Sequence, residues 1–155
     1  MNPRFKQLVD QFDVSFQRLV LMEPVKVTSL PRDMPTSGVY LFSERDCHLY
    51  VGRSNRLRVR LQEHGRPSST HNSAPFAFNI ARRATGRMEA TYDSKGSRAS
   101  LESEPEFSET FAKAKERVHR MDIRYVKEDD PLKQALLEIY VAIALDTPYN
   151  EFGTH

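Results

Sequence analysis

The sequence predicts an α+β fold, in which a small mixed, mainly antiparallel three-stranded sheet is flanked by helices and carries an N-terminal helix and a long mobile insertion. Three observations point there. Gly38-Val39-Tyr40-Leu41-Phe42 and His48-Leu49-Tyr50-Val51-Gly52 are short β-rich runs separated by the polar stretch Ser43 to Cys47, which is the pattern of a hairpin. Asp122-Ile123-Arg124-Tyr125-Val126-Lys127 alternates polar and apolar residues, as a half-buried strand does. Several other segments repeat apolar residues at spacings of three and four, the helical period. With 155 residues and 39% hydrophobic content, the chain can bury one modest core.

In chain order, Phe5, Leu8, Val9, Phe12, Phe16, Leu19 and Val20 form one apolar stripe, which predicts a single packing helix ended by Pro24. This gives an N-terminal helical extension over 1–34 and a main domain over 35–155. A hairpin loop symmetric about Arg45 would set Gly38 opposite Gly52 and Tyr40 opposite Tyr50, making the two tyrosines cross-strand neighbours. Ser54 or Asn55 can cap a helix running to about His64, with Leu57 and Leu61 one turn apart. Arg53, Arg56, Arg60 and His64 form a second stripe beside them. Gly65 to Ser73 reads as loop, Ala74 to Thr85 as a helix closed by Gly86, and the Ser-, Gly- and charge-rich stretch of about 86–105 as the mobile insertion. Glu106 to Met121 reads as helix. Asp130 caps a last helix that opens on Pro131 and runs to Leu145.

Composition narrows the function classes. The single cysteine, Cys47, excludes an internal disulfide and a cysteine-rich zinc site, and fits a reducing cytoplasm. No stretch approaches the roughly 18 to 20 apolar residues of a membrane span, and Met1-Asn2-Pro3-Arg4 opens no signal-peptide core. The expectation is a soluble cytoplasmic protein with no membrane partner. A net charge of +2 announces no partner, but its distribution is uneven: residues 1–52 carry six basic and six acidic side chains, 53–98 ten and three, and 99–155 seven and twelve.

The chemically odd residue is Glu138. From Ala135 to Leu145 it is the only charged side chain in a helix that should be buried on most of its circumference. A buried carboxylate needs a cation, a hydrogen-bond donor or a proton, because leaving it without one costs several kcal/mol. A structural ion pair with one of the arginines is one solution and a metal site the other. A hard divalent cation such as Mg2+ accepts a single carboxylate when waters and a substrate phosphate complete its shell.

In order and spacing the segments resemble the GIY-YIG nuclease family. Gly38-Val39-Tyr40 and Tyr50-Val51-Gly52 match its two naming motifs, Arg60 its helical arginine, His64 a position held by histidine or tyrosine, Glu138 its metal-binding glutamate, and Asn150 in Thr147-Pro148-Tyr149-Asn150 its late asparagine. Arg53 stands where several members carry lysine. The resemblance covers Gly38 to Asn150, with extra length mainly before Pro105. It implies a phosphodiester hydrolase in which Glu138 holds a divalent metal, Mg2+ or alternatively Mn2+, and Arg60 offers a planar donor to the phosphate. Tyr40 would be the general base or orient the attacking water, Tyr50 would position water or phosphate, and Asn150 would orient the loop or the metal shell. An ordinary tyrosine titrates at about 10, so His64 is the alternative base.

Double-stranded DNA is the expected substrate, with Arg53, Arg56, Arg82, Arg83, Arg87, Lys95 and Arg98 of the basic middle third as backbone contacts. Two other readings are a non-cutting nucleic-acid-binding module of the same fold, and a nuclease for RNA or single strands in which Phe76, Phe78 or Tyr92 stack on bases. One site cuts one strand, so two-strand cleavage calls for two visits or a homodimer, for which the N-terminal helix is the candidate contact.

Overall fold

The computed structural model describes residues 1–87 and 97–153, and divides into two compact units. The first comprises Met1–Arg58 and Met121–Asn150, the second Val59–Arg120 with the residues from Glu151 on.

The first unit holds the sheet. Strands β1 (Gly38–Glu44), β2 (Cys47–Ser54) and β3 (Asp122–Lys127) are all antiparallel in the order β2-β1-β3, so the mixed sheet expected from sequence is purely antiparallel. The register also differs from the symmetric-loop expectation. Arg45 and Asp46 both have positive φ, 52° and 64°, and form a two-residue turn whose twist suits the flanking strands. A shift between Phe42 and Ser43 then places Tyr40 opposite Gly52 and Phe42 opposite Tyr50. The offset is two residues, so the tyrosines still share a face as diagonal neighbours, with ring centroids 6.5 Å apart.

The N-terminal stripe forms two helices rather than one: α1 (Pro3–Val9) and α2 (Phe12–Leu21). The Asn2 side chain accepts from the Arg4 and Phe5 amides, and at the break the Gln11 amide turns to the Leu8 carbonyl, a tightened i→i+3 bond. Phe5 is left exposed, whereas Phe12 and Leu19 enter the core of the sheet unit. That core joins them to Val39, Leu41, Val51 and Val126 from one sheet face and to Leu137, Val141 and Ala142 from the last helix, α7 (Pro131–Leu145). The Asp130 carboxylate accepts from the Leu132 and Lys133 amides and fixes the start of α7. The other face of the sheet carries Tyr40, Phe42, Tyr50 and Ile123, by the alternation of side chains along each strand.

The chain passes into the second unit along α3 (Leu57–Gly65), just ahead of which the Ser54 hydroxyl accepts from the Arg56 amide. There, α4 (Pro75–Thr85) ends at Gly86 in a left-handed conformation, and α6 (Pro105–His119) packs against it through Phe78, Phe107 and Phe111. The Lys115 ammonium donates to the Pro67 and Ser69 carbonyls at 2.7 and 2.8 Å, pinning the loop after α3. Part of the expected mobile insertion is helical. Ser97 caps α5 (Arg98–Ser103), and Leu101 is buried from it. The remainder of that insertion, 88–96, lies outside the described residues. Among the described residues, no helix is long and apolar enough to cross a membrane.

Candidate active site

The two triplets around the hairpin tyrosines are determined by space. Tyr40 lies on the central strand, 1% exposed, and packs edge-on to Phe42 at 5.8 Å. Its ring lies across β2. A Cβ built on Gly52 would stand 2.3 Å from both the Tyr40 Cζ and its hydroxyl oxygen, so only glycine fits under the phenol. At Gly38 a Cβ would stand 2.0 Å from the Val126 carbonyl oxygen of the neighbouring strand. Both glycines therefore serve close approach: Gly38 of strand to strand, Gly52 of phenol to backbone.

The residues on either side of Gly52 meet other candidate groups. Val51 presents its amide and carbonyl to the outer edge of β2, and Asn150 binds both: its Oδ1 accepts from the Val51 amide at 2.9 Å and its Nδ2 donates to the Val51 carbonyl at 2.8 Å. The Tyr149 amide donates to the Leu49 carbonyl at 3.2 Å, so the turn after α7 continues the sheet by side chain and backbone. Thr147 donates to the same Asn150 Oδ1 at 2.7 Å. With both lone pairs of that oxygen taken, Asn150 positions β2 and offers no ligand to a cation.

On the other side, Arg53 faces Glu138, Nε to Oε2 at 3.7 Å. The glutamate side chain is 24% exposed and the arginine 44%. Burial pushes the Glu138 carboxyl above the usual carboxylate range, and Arg53 opposes that shift without cancelling it. At 3.7 Å the pair is an ion contact rather than a hydrogen bond, and among the described residues no donor reaches the carboxylate closely enough to bond it. No group of three or more His, Cys, Asp or Glu suited to a metal gathers among the described residues, so Glu138 stands as a single carboxylate.

Tyr40 and Glu138 approach β2 from opposite faces: the phenol from the Tyr50 side, the carboxylate from the side of Val51 and Arg53 where α7 packs. A molecule touching both must lie round the outer edge of β2. β2 is terminal in the strand order, and Tyr149 and Asn150 bind that outer edge at Leu49 and Val51.

Arg60 and His64 belong to the second unit. The Arg60 guanidinium donates through Nη1 to the Ser73 carbonyl at 2.9 Å and to Glu63 at 3.1 Å, an anchoring that holds its plane. His64 is fully buried, and burial first, then the Arg60 charge, holds its pKa well below the ordinary imidazole value. It is neutral at pH 7.

No protein-family model, characterised protein or solved structure matches the chain.

The basic residues of the middle third are placed unequally. Arg53, Arg56, Arg83 and Arg87 are exposed, although Arg87 pairs with Glu104 at 3.0 Å. Arg82, expected on the nucleic-acid surface, is instead 1% exposed. It donates to the Arg87 carbonyl at 2.9 Å and faces Glu151 at 3.7 Å, which makes it an internal brace of the second unit. Arg98 is half-buried, with its guanidinium 5.5 Å from the centre of the Phe78 ring. Phe76 and Phe78 are wholly buried and offer no face to a base, so the stacking role expected of them does not stand; Lys95 and Tyr92 lie outside the described residues. Sequence reasoning missed the hold of Asn150 on Val51 and the clearance that Gly52 gives Tyr40. Only the proline-containing turn before Asn150 hinted at the first.

Proposed function

We propose that the chain is an endonuclease of the GIY-YIG type that hydrolyses phosphodiester bonds, with double-stranded DNA as its substrate. One observation carries the reading. Three consecutive residues of the terminal strand β2 are each engaged by a different candidate side chain: Val51 by Asn150, Gly52 by the Tyr40 phenol, and Arg53 by Glu138. These groups come from chain-distant segments and meet on one strand, which supports the reading.

Glu138 fits a divalent cation by its chemistry: a partly buried carboxylate with a raised proton affinity and acceptor capacity not taken up by hydrogen bonds. Bound there, Mg2+ or Mn2+ would supply Lewis-acid stabilisation of phosphate charge. The chain's own residues supply the rest. Tyr40 holds its hydroxyl over Gly52, and in this reading it accepts a proton from the attacking water or orients it. Tyr50 flanks it on the same face. Arg53, beside Glu138 and substantially exposed, can pair with a non-bridging phosphate oxygen as readily as with the carboxylate. Arg60, held flat by Glu63 and Ser73, is the second guanidinium of the reading, and its part rests on its match to the family position. Exposed Arg56 and Arg83 would add salt-sensitive backbone contacts.

The test is cleavage of duplex DNA, single-stranded DNA and RNA, each with and without Mg2+. Glu138→Gln should abolish cutting while folding and duplex binding persist. Duplex binding without cutting by the unmutated protein under every condition would replace this reading with the binding module. Preferential cutting of RNA or single strands would move the substrate and leave the chemistry.

A further inference from the structure

Asn55 lies between β2 and α3, where an asparagine could cap the helix, but its side chain turns to α7 instead. There its Oδ1 accepts from the Gln134 Nε2 at 2.8 Å. Gln134 is 1% exposed, and the same Nε2 donates to the Glu128 carbonyl at 2.6 Å. These two bonds fix which way both amides face. Two carbonyl oxygens would repel at that distance, so Gln134 must turn its amino group to Glu128, and only an oxygen of Asn55 can then answer it. The Asn55 amino group is thereby held at the far end of an oriented, planar amide. Asn55 is exposed, and no acceptor among the described residues takes its Nδ2 protons.

The surroundings of that amino group say what it meets. Arg53 faces Glu138, and Asn55, two residues further on, reaches Gln134, four residues earlier in α7, so the two links run side by side between the end of β2 and the helix. Two strand residues span about 6–7 Å and four helical residues about 6 Å, so the links are matched in length and lie one such step apart. Arg53 and Arg56 flank Asn55 along the chain, both exposed, and Arg56 has no ion-pair partner among the described residues. A fixed neutral donor between two guanidiniums suits the oxygens of a phosphate. We propose that Asn55 is a nucleic-acid-binding residue whose Nδ2 donates to a backbone phosphate of duplex DNA, one step along from the phosphate at Glu138, and that Gln134 is the buried residue that positions it. This rests on the nuclease reading for the identity of the substrate, and the contact reads no base.

Fluorescence anisotropy of a labelled DNA duplex, in EDTA so that nothing is cut and over a series of salt concentrations, tests it, with far-ultraviolet circular dichroism to confirm folding of each variant. Asn55→Ala should weaken binding about tenfold, because a hydrogen bond to a charged group is lost. It should leave the slope of log K against log salt unchanged, since the lost donor is neutral, whereas Arg56→Ala should reduce that slope by about 0.9. Gln134→Leu fills the same buried space but frees Asn55, and should weaken binding about threefold in the unmutated background and not at all in the Asn55→Ala background. A merely structural Gln134 would cost the same in both. Cleavage with Mg2+, run alongside, keeps the two readings apart: binding that follows this pattern without any cutting removes the nuclease and leaves the Asn55 contact standing. Unchanged affinity in Asn55→Ala, a loss on Gln134→Leu that persists undiminished in Asn55→Ala, or a chain that binds no duplex at any salt concentration overturns the proposal.

Discussion

Gly52→Ala adds one methyl group at the point where the geometry leaves least room. Its carbon would stand 2.3 Å from the Tyr40 Cζ and hydroxyl oxygen and 2.8 Å from a Cε, distances at which something has to move. The backbone cannot do so locally, because Gly52 is paired with Tyr40 within the β1–β2 ladder and Asn150 binds the residue before it from the other side. The ring must swing instead, and it is fully buried against Phe42. Overpacking of this kind costs about 1–3 kcal/mol. In a strand that made no such contact, replacing glycine by alanine would instead stabilise by about 0.5–1 kcal/mol. The two expectations differ in sign, so urea unfolding decides between them. A double-mutant cycle with Tyr40→Leu isolates the cause: the leucine side chain stops short of β2, so in that background Gly52→Ala should lose its cost. An equal destabilisation by Gly52→Ala with and without Tyr40→Leu would refute the claim that the phenol dictates the glycine.

Three other outcomes follow from the same site. Asn150→Ala removes two hydrogen bonds from the edge of β2 and should cost about 1–3 kcal/mol in urea unfolding, while Asn150→Asp, which cannot donate to the Val51 carbonyl, should recover little of it. Because burial raises the Glu138 pKa in the folded state, the folded chain binds the extra proton, and this group's contribution to stability is full below the ordinary carboxyl pKa and lost as pH rises through the shifted value. Glu138→Gln should therefore match or exceed the original stability at pH 8, with the advantage vanishing toward pH 4, and the cleavage rate of the unmutated chain should rise with pH through a value above the ordinary carboxyl range. His64 has the opposite sign: its depressed pKa means that the unfolded chain takes the proton first, so stability is lost as pH falls below the ordinary imidazole value of about 6.5, a slope that His64→Gln should remove, and the imidazole resonances should show no titration near 6.5.

The sheet was legible in the sequence because alternation and the spacing of the two β-rich runs need no tertiary information. Its register was not. Counting inward from a symmetric loop assumes a turn centred on one residue, whereas Arg45-Asp46 adopts the two-residue left-handed turn usually signalled by Asn-Gly, and the shift after Phe42 is invisible to any local pattern. The buried aromatics of α4 were equally hidden. Helical periodicity shows that Phe76 and Phe78 lie on a helix, but their burial depends on α6, which follows some thirty residues later and contributes Phe107 and Phe111. Arg82 misled for a related reason. Charge predicts exposure unless a partner is folded against it, and its partners are the backbone carbonyl of Arg87 and the distant Glu151.

The candidate site was legible to a different degree for each kind of constraint. A carboxylate alone in an apolar helix announces itself, because no packing argument accommodates it, and Glu138 stands out for that reason before any contact is known. The two glycines carry no chemistry, yet they are the residues whose identity the structure explains most completely: one lets strands close, the other lets a phenol lie over the neighbouring strand. Asn150 is the hardest to read, since it satisfies one residue of an edge strand 99 positions earlier in the chain and its only local trace is the proline-containing turn before it. A site made of clearance, one isolated charge and one long-range amide thus shows in the sequence only as spacing. The steric reason that ties Tyr40 to Gly52 turns that spacing into geometry, because a phenol that needs room across β2 needs it wherever the loop between the strands happens to fall.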